Sequence, residues 1–305
     1  MTLPEQLSRN LRDVWGAEGD AWLGRFPKLL AACADRWQLR NLRSFPELSY
    51  NFAASAEGPD GTPYALKMGV PGHEIRREID ALRLYDGQGV ARLVDADPDM
   101  AALLLELLEP GIMLADLPDD EEATRIAGGV MKELWRPVPQ DHAFLHVREW
   151  FAELPNLRAR YGGGTGPFPA ALVDTAERLY AELAASSAET VLLHGDLHHY
   201  NILASRRAPW LAIDPKGVVG DPAFDVGPLL ENPMPHIRHY PDLRGVLARR
   251  VEILGEVLQM DRGRILGWAL AFSVLSGWWN LESHGAGWEP QIAVAGHLSD
   301  ILRTT

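Results

Sequence analysis

The sequence predicts an α+β protein in two lobes, the first rich in strands and the second mostly helical. Three observations predict it. Between residues 38 and 107 the apolar residues fall in short runs separated by turn signals, with one helical stretch among them. After Glu109-Pro110-Gly111 the spacing becomes helical over most of the remaining chain. A single strand-and-turn stretch interrupts the helical region, residues 192–216, LLHGDLHHYNILASRRAPWLAIDPK. The predicted lobes are residues 1–108 and 109–305.

The elements follow in order. Residues 3–37 read as two helices, with Leu3, Leu7, Leu11 and Val14 on one face of the first. Trp22, Phe26, Leu29 and Leu30 share a face of the second, Asp20 suits its N-cap, and Pro27 offers a break within it. QLRNLRSF, LSYNFAASAE and TPYALKMG are strands, with EGPDG as the turn before the third. Residues 73–86 form a helix with Ile75, Ile79 and Leu82 on one stripe. Glu78 lies inside that stripe, where a carboxylate needs a cation, and Lys67 at the end of the third strand is the nearest. Two more strands turn at Asp97-Pro98-Asp99. Helices are then expected near 119–135, 145–160, 169–187, 222–230, 236–258, 261–281 and 289–303.

Composition narrows the function. With 305 residues, 47% hydrophobic and 23% charged, the chain suits a globular protein with a sizeable core. A net charge of −13 argues against a nucleic-acid partner and favours a cationic small molecule. The single cysteine, Cys33, lies in an apolar run and reads as a core thiol. The N-terminus carries acids and no apolar signal region, and the longest uncharged apolar run, Ile265 to Trp279, is shorter than the roughly 20 residues of a membrane span. A cytoplasmic protein without a membrane partner is expected. The sequence carries no signal for an oligomeric state.

The chemistry concentrates in residues 192–216. Asp196 sits in the turn after an apolar run, Asn201 opens a second run, and Asp214 ends a third and precedes Pro215. One Asp to accept a hydroxyl proton, with an Asn and a second Asp as hard oxygen ligands for Mg²⁺, is what metal-assisted phosphoryl transfer requires. His194 reads as a structural histidine that fixes the loop.

The strings HGDLHHYNIL and IDPKGVVGDPAFDV resemble the aminoglycoside phosphotransferase superfamily, which has the protein-kinase-like fold. The longer string through GPLLENP, the segment PYALKMG to LLLELLEPG and the helix RILGWALAFSVLSGWWNLE resemble its streptomycin 6-kinase and hydroxyurea-resistance branch. The resemblance covers roughly residues 40–300. It implies a catalytic loop at 192–203 and a metal-binding segment at 213–216. Asp196 would orient or deprotonate the acceptor hydroxyl, and Asn201 and Asp214 would hold Mg²⁺ against ATP, with GTP an alternative donor. Lys67, held by Glu78, would contact the α/β-phosphates. The backbone of Glu106 to Leu108 would meet adenine, and Asp225 would brace the catalytic loop. The site is expected between the lobes.

One departure stands out. The phosphate-covering loop RSFPELSYNF has no glycine, and Ser49 is the residue placed to serve there. For a cationic hydroxyl acceptor, Glu282 and Glu289 supply charge, and Trp279 and Asn280 are placed at a pocket edge. The acceptor implied is streptomycin or a related guanidinium-bearing aminoglycoside. A sugar or another small metabolite is the alternative. Two other classes use the same stretch. His194-x-Asp196-x-His198-His199 has the density of a zinc hydrolase, although that leaves Lys67, Glu78 and Asn201 without a task. A nucleotide-binding module without catalysis would explain the loop that lacks glycine. Tyr161-Gly-Gly-Gly-Thr165-Gly166 lacks the ending of a phosphate loop and reads as a connection between helices.

Overall fold

The computed structural model describes residues 3–46, 48–234 and 236–304. The chain divides into two units, Met1–Gly111 and Ile112–Thr305.

The first unit is a five-stranded antiparallel sheet with its helices. The strands are β1 (Arg40–Ser44), β2 (Phe52–Glu57), β3 (Pro63–Met68), β4 (Leu93–Asp97) and β5 (Ala102–Glu106), in the order β1-β2-β3-β5-β4. Side chains alternate across the sheet, so Phe52, Ala54, Ala56, Leu66 and Met68 share one face. That face packs with Leu7, Leu11, Trp22, Phe26 and Cys33 of the leading helix α1 (Glu5–Trp37) in one core. Lys67 falls on the opposite face by the same alternation, and there it meets α2 (His73–Tyr85). Burial pushes the Cys33 thiol up to about 11.

The leading helix is kinked where the first of the two predicted helices ends, and it departs from expectation at Asp20 and Pro27. Its one break is Gly16, at φ 50° and ψ −121°, which glycine adopts without a Cβ penalty. Asp20 is therefore inside the helix, where it accepts from Arg12 Nε at 2.8 Å. Pro27 lies within the helix without breaking it. Trp22 and Phe26, both buried, hold the turn before it against the sheet, and that packing outweighs one lost backbone bond. Val14, expected on the inner face, is 43% exposed.

The second unit is built on helices α3 (Asp120–Leu134), α4 (Val147–Phe151), α5 (Leu154–Arg160), α6 (Ala170–Ala185), α7 (Val226–Glu231), α8 (Leu243–Leu258), α9 (Arg262–His284) and α10 (Glu289–Leu302). At its centre is α9, apolar on nearly every side, with α6, α7 and α10 packed around it. Two small sheets carry the loops. One orders β10 (Trp210–Ala212), β9 (Ile202–Ser205) and β6 (Pro110–Met113). The other orders β7 (Leu145–His146), β11 (Val218–Gly220) and β8 (Val191–Leu193). Three predicted helices are shorter or divided. Residues 145–160 split into α4 and α5, with Pro155 in the first turn of the second. Residues 236–239 are a 3-10 turn, and α8 begins only at Leu243, because Pro241 disfavours a helical Tyr240. Residues 222–225 form a 3-10 turn before α7. Among the described residues no helix is long and apolar enough to cross a membrane.

Candidate active site

In the first unit, Lys67 Nζ donates to both oxygens of Glu78, at 2.7 and 2.8 Å. The two residues are 5% and 6% exposed, so the pair is desolvated and held in one geometry. The loop between β1 and β2 is braced by α1. Asn10 Nδ2 donates to the Ser49 carbonyl at 2.9 Å, and Trp15 meets Tyr50 edge-on at 6.3 Å. These contacts fix a loop that has no glycine. Ser49 itself is exposed, and the loop's Glu47 lies outside the described residues. In the 106–108 segment the Glu106 amide donates to the Arg92 carbonyl at 2.9 Å, its carboxylate accepts from the Arg92 amide at 3.1 Å, and Leu108 is buried.

In the second unit the predicted loop is pinned from three directions. Asp225 is fully buried and accepts from the His194 amide at 3.1 Å, the Gly195 amide at 2.8 Å and Trp135 Nε1 at 3.1 Å. Burial still pushes its carboxyl up to about 6. Gly195 has φ 80°, and a Cβ there would meet Val218 at 2.7 Å, so the turn requires glycine.

His194 is committed at both ring nitrogens. Nδ1 accepts from the Asp196 amide at 3.2 Å, and Nε2 lies 2.8 Å from the Ile213 carbonyl. This network assigns the neutral Nε2–H tautomer. Burial holds the ring down to about 4, so it is neutral at ordinary pH and has no nitrogen left to take a substrate proton.

The Asp196 side chain is one-third exposed. His198 Nε2 lies 3.6 Å from Oδ1 and Lys216 Nζ 3.6 Å from Oδ2. Asn201 Nδ2 donates to the Asp196 carbonyl at 2.9 Å, which leaves the amide oxygen as the atom suited to a cation. The β9–β10 hairpin sets Asp214 close in the chain path to Asn201, because the Ile213 amide donates to the Asn201 carbonyl at 2.9 Å. Asp214 has φ 61°, a conformation that costs a non-glycine residue about 1–3 kcal/mol and recurs at functional sites. An amide and a carboxylate oxygen of this kind suit Mg²⁺, which takes few protein ligands. The hydrolase reading fares differently. His199 is buried with both ring nitrogens unpartnered, and among the described residues no three His, Cys, Asp or Glu side chains group as metal ligands.

The proposed acceptor residues fall into two environments. Trp279 is half-buried, donates to Glu153 Oε2 at 2.6 Å and packs edge-on against Trp150 at 5.5 Å. Asn280 is half-buried and donates to the Ser276 carbonyl at 3.2 Å. Glu282 and Glu289 are exposed. The glycine-rich 162–166 segment connects α5 to α6. Sequence reasoning missed Lys216, whose signal is its place directly after Asp-Pro, and Glu231. The latter ends the apolar run GPLLE with no basic neighbour in sequence.

Comparison with known proteins follows this geometry. A family model described as aminoglycoside/hydroxyurea antibiotic resistance kinase matches residues 51–284. The chain is 34% identical to a streptomycin 6-kinase of Streptomyces griseus, over 97% of this chain and 97% of that protein. It is 32% identical to a hydroxyurea phosphotransferase of Kitasatospora aureofaciens, over 96% of this chain and 84% of that protein. Among solved structures, a thermostable mutant of aminoglycoside phosphotransferase APH(4)-Ia, in ternary complex with ADP and hygromycin B, superposes with a TM-score of 0.64. It is 15% identical and covers 90% of this chain and 97% of that one, a likeness of fold. The chain belongs to the aminoglycoside/hydroxyurea antibiotic resistance kinase family.

Proposed function

We propose that this kinase transfers the γ-phosphoryl group of ATP to a hydroxyl of streptomycin or a related guanidinium-bearing aminoglycoside. The observation that carries the acceptor is the 34% identity to a streptomycin 6-kinase over nearly the whole of both chains. When bound, Mg·ATP supplies the phosphoryl group and the metal charge that offsets its anionic oxygens.

The chain's own residues position and deprotonate. Asp196, on a loop held by Asp225, His194 and Asn201, orients the acceptor hydroxyl and takes its proton. Asn201 and Asp214 hold Mg²⁺, and Lys67, fixed by Glu78, contacts the α/β-phosphates. Ser49 serves the phosphates from the braced loop, and the backbone of Glu106 to Leu108 meets adenine. Trp279 and Asn280 wall the acceptor, and Glu282 and Glu289 draw its positive charge from solvent. Little covalent work falls to the protein, so positioning and charge stabilisation account for the rate. A nucleotide donor makes the cytoplasm its compartment.

The test is ADP release with Mg·ATP and, in turn, streptomycin, hydroxyurea, kanamycin, free sugars and no acceptor. Release with streptomycin is expected. Release with hydroxyurea alone would make hydroxyurea the acceptor instead, a reading that the 32% identity to a hydroxyurea phosphotransferase supports. In the productive assay Asp196→Asn should lower kcat by about 10²–10⁴. A loss under tenfold removes Asp196 from the role of base.

A further inference from the structure

One carboxylate of the second unit has no task in the reaction described above. Glu231 ends α7 and is 4% exposed. Ser276 Oγ donates to its Oε1 at 2.7 Å, and its Oε2 has no partner. Two more orphaned groups stand with it. Ser273 of α9, wholly buried, has an unpartnered hydroxyl, and Gln291 of α10, 8% exposed, has an unpartnered amide oxygen. Ser273 and Gln291 are close enough to Glu231 to pull its carboxyl down as hydrogen-bonding neighbours, whereas burial and the negative charge of Asp196 push it up. No ion pair reaches Glu231 among the described residues. The end of a helix, with its outward carbonyls, adds to the cost of a negative charge there.

Such an arrangement is expensive for stability alone. An unsatisfied buried acceptor costs about 1–3 kcal/mol, and a buried carboxylate without a cation costs more. Native proteins leave few groups in this state, and those they leave cluster at functional sites. The setting of the orphans is also specific. The helix α9 is apolar almost all round, yet Ser273, Ser276 and Asn280 follow one another at helical spacing on one stripe. Ser276 and Asn280 are half-buried, so the stripe runs from the sealed carboxylate towards a more open end.

The Glu231 and Gln291 oxygens are acceptors and the Ser273 hydroxyl oxygen can accept as well, so the missing partner is a group that donates several hydrogen bonds. A guanidinium has five N–H donors, no acceptor and weaker hydration than an ammonium, so its transfer into a buried site is cheaper. We propose that Glu231, with Ser273, Ser276 and Gln291, binds a guanidinium group of the acceptor whose hydroxyl Asp196 addresses. Naming streptomycin as that acceptor rests on the function proposed above. The guanidinium site itself rests on the orphaned groups.

Burial pushes the Glu231 carboxyl up to about 8, so a cation that binds at pH 7 must displace its proton. Calorimetry on the full-length protein in two buffers of different ionisation enthalpy measures that release. The probes are streptomycin and methylguanidinium. Wild type should release close to one proton with either. Glu231→Gln keeps the shape and the Ser276 contact, and it should weaken both probes about 10–100-fold and abolish the release. Glu231→Asp, which restores the charge, should recover the release with part of the affinity. Methylguanidinium binding that depends on Glu231, in a protein that ignores streptomycin, would keep the site and overturn the acceptor. Unchanged affinity in a folded Glu231→Gln, or no guanidinium binding by wild type, overturns the site.

Discussion

Glu78 in the first unit and Glu231 in the second are equally hidden, at 6% and 4% exposure, yet they differ in their partners. Lys67 donates to both oxygens of Glu78. Glu231 receives one hydroxyl and keeps one oxygen unpartnered. Burial alone therefore does not say what a carboxylate is for. A carboxylate with its own cation is a finished fixture, here one that holds the lysine in place. A carboxylate without one is unfinished until a ligand brings the charge.

The largest test of this contrast is to unmake the finished pair. Lys67→Ala takes from the buried Glu78 the ammonium that donates to both its oxygens, and should lower stability by about 3–5 kcal/mol in urea denaturation. Replacing both, Lys67→Met with Glu78→Leu, should restore most of it, since a buried pair is often no better than apolar packing. A loss under about 1 kcal/mol in the single variant would mean that Glu78 finds another cation, and the contrast would fail. Glu231→Gln should go the other way and leave stability equal or higher.

That second variant also has a pH signature. The folded Glu231 carboxyl, at about 8, lies above its ordinary value of 4.5. Its contribution to stability is thus full below about pH 4.5 and is lost as pH rises to about 8, because only the folded state still holds the proton. The advantage of Glu231→Gln over wild type should therefore grow between those limits and level off above. A gain on the order of 10 °C in Tm is expected by about pH 8, at about 1.4 kcal/mol for each pH unit of that window and about 2–4 °C per kcal/mol for a domain of this size. Asp225 and His194 titrate in both proteins and cancel in the difference. A difference in Tm that stays constant from pH 5 to 9 would show that Glu231 does not titrate with folding.

The same contrast explains what could be read from the sequence. Glu78 was legible because the Ile75, Ile79 and Leu82 stripe turns it inward, and Lys67 at the end of the third strand is the nearest cation in the sequence. Asp196, Asn201 and Asp214 were legible because they lie within one short hairpin stretch. Glu231 was not, since its neighbours Ser273, Ser276 and Gln291 come from helices some 40–60 positions later, which no local pattern joins. The bracing of the Ser49 loop by Asn10 and Trp15 was hidden for the same reason. Pro27 departs from its local propensity because the packing of Trp22 and Phe26 overrides it, and no neighbouring residue signals that packing.

The smallest effect completes the comparison with carboxylates in water. Glu282 and Glu289 are exposed, so their charge is screened by solvent and salt. If they only attract the cation from a distance, Glu282→Gln and Glu289→Gln should each raise the KM for the acceptor by about two- to threefold at low ionic strength. That rise should vanish in about 0.5 M salt, where charges further apart than a few ångströms no longer act on one another. Initial rates measured at both ionic strengths decide it. A tenfold rise that survives salt would put one of these carboxylates in direct contact with the acceptor. Recognition would then not be confined to the buried carboxylate, and the distinction drawn from Glu231 would have to be given up.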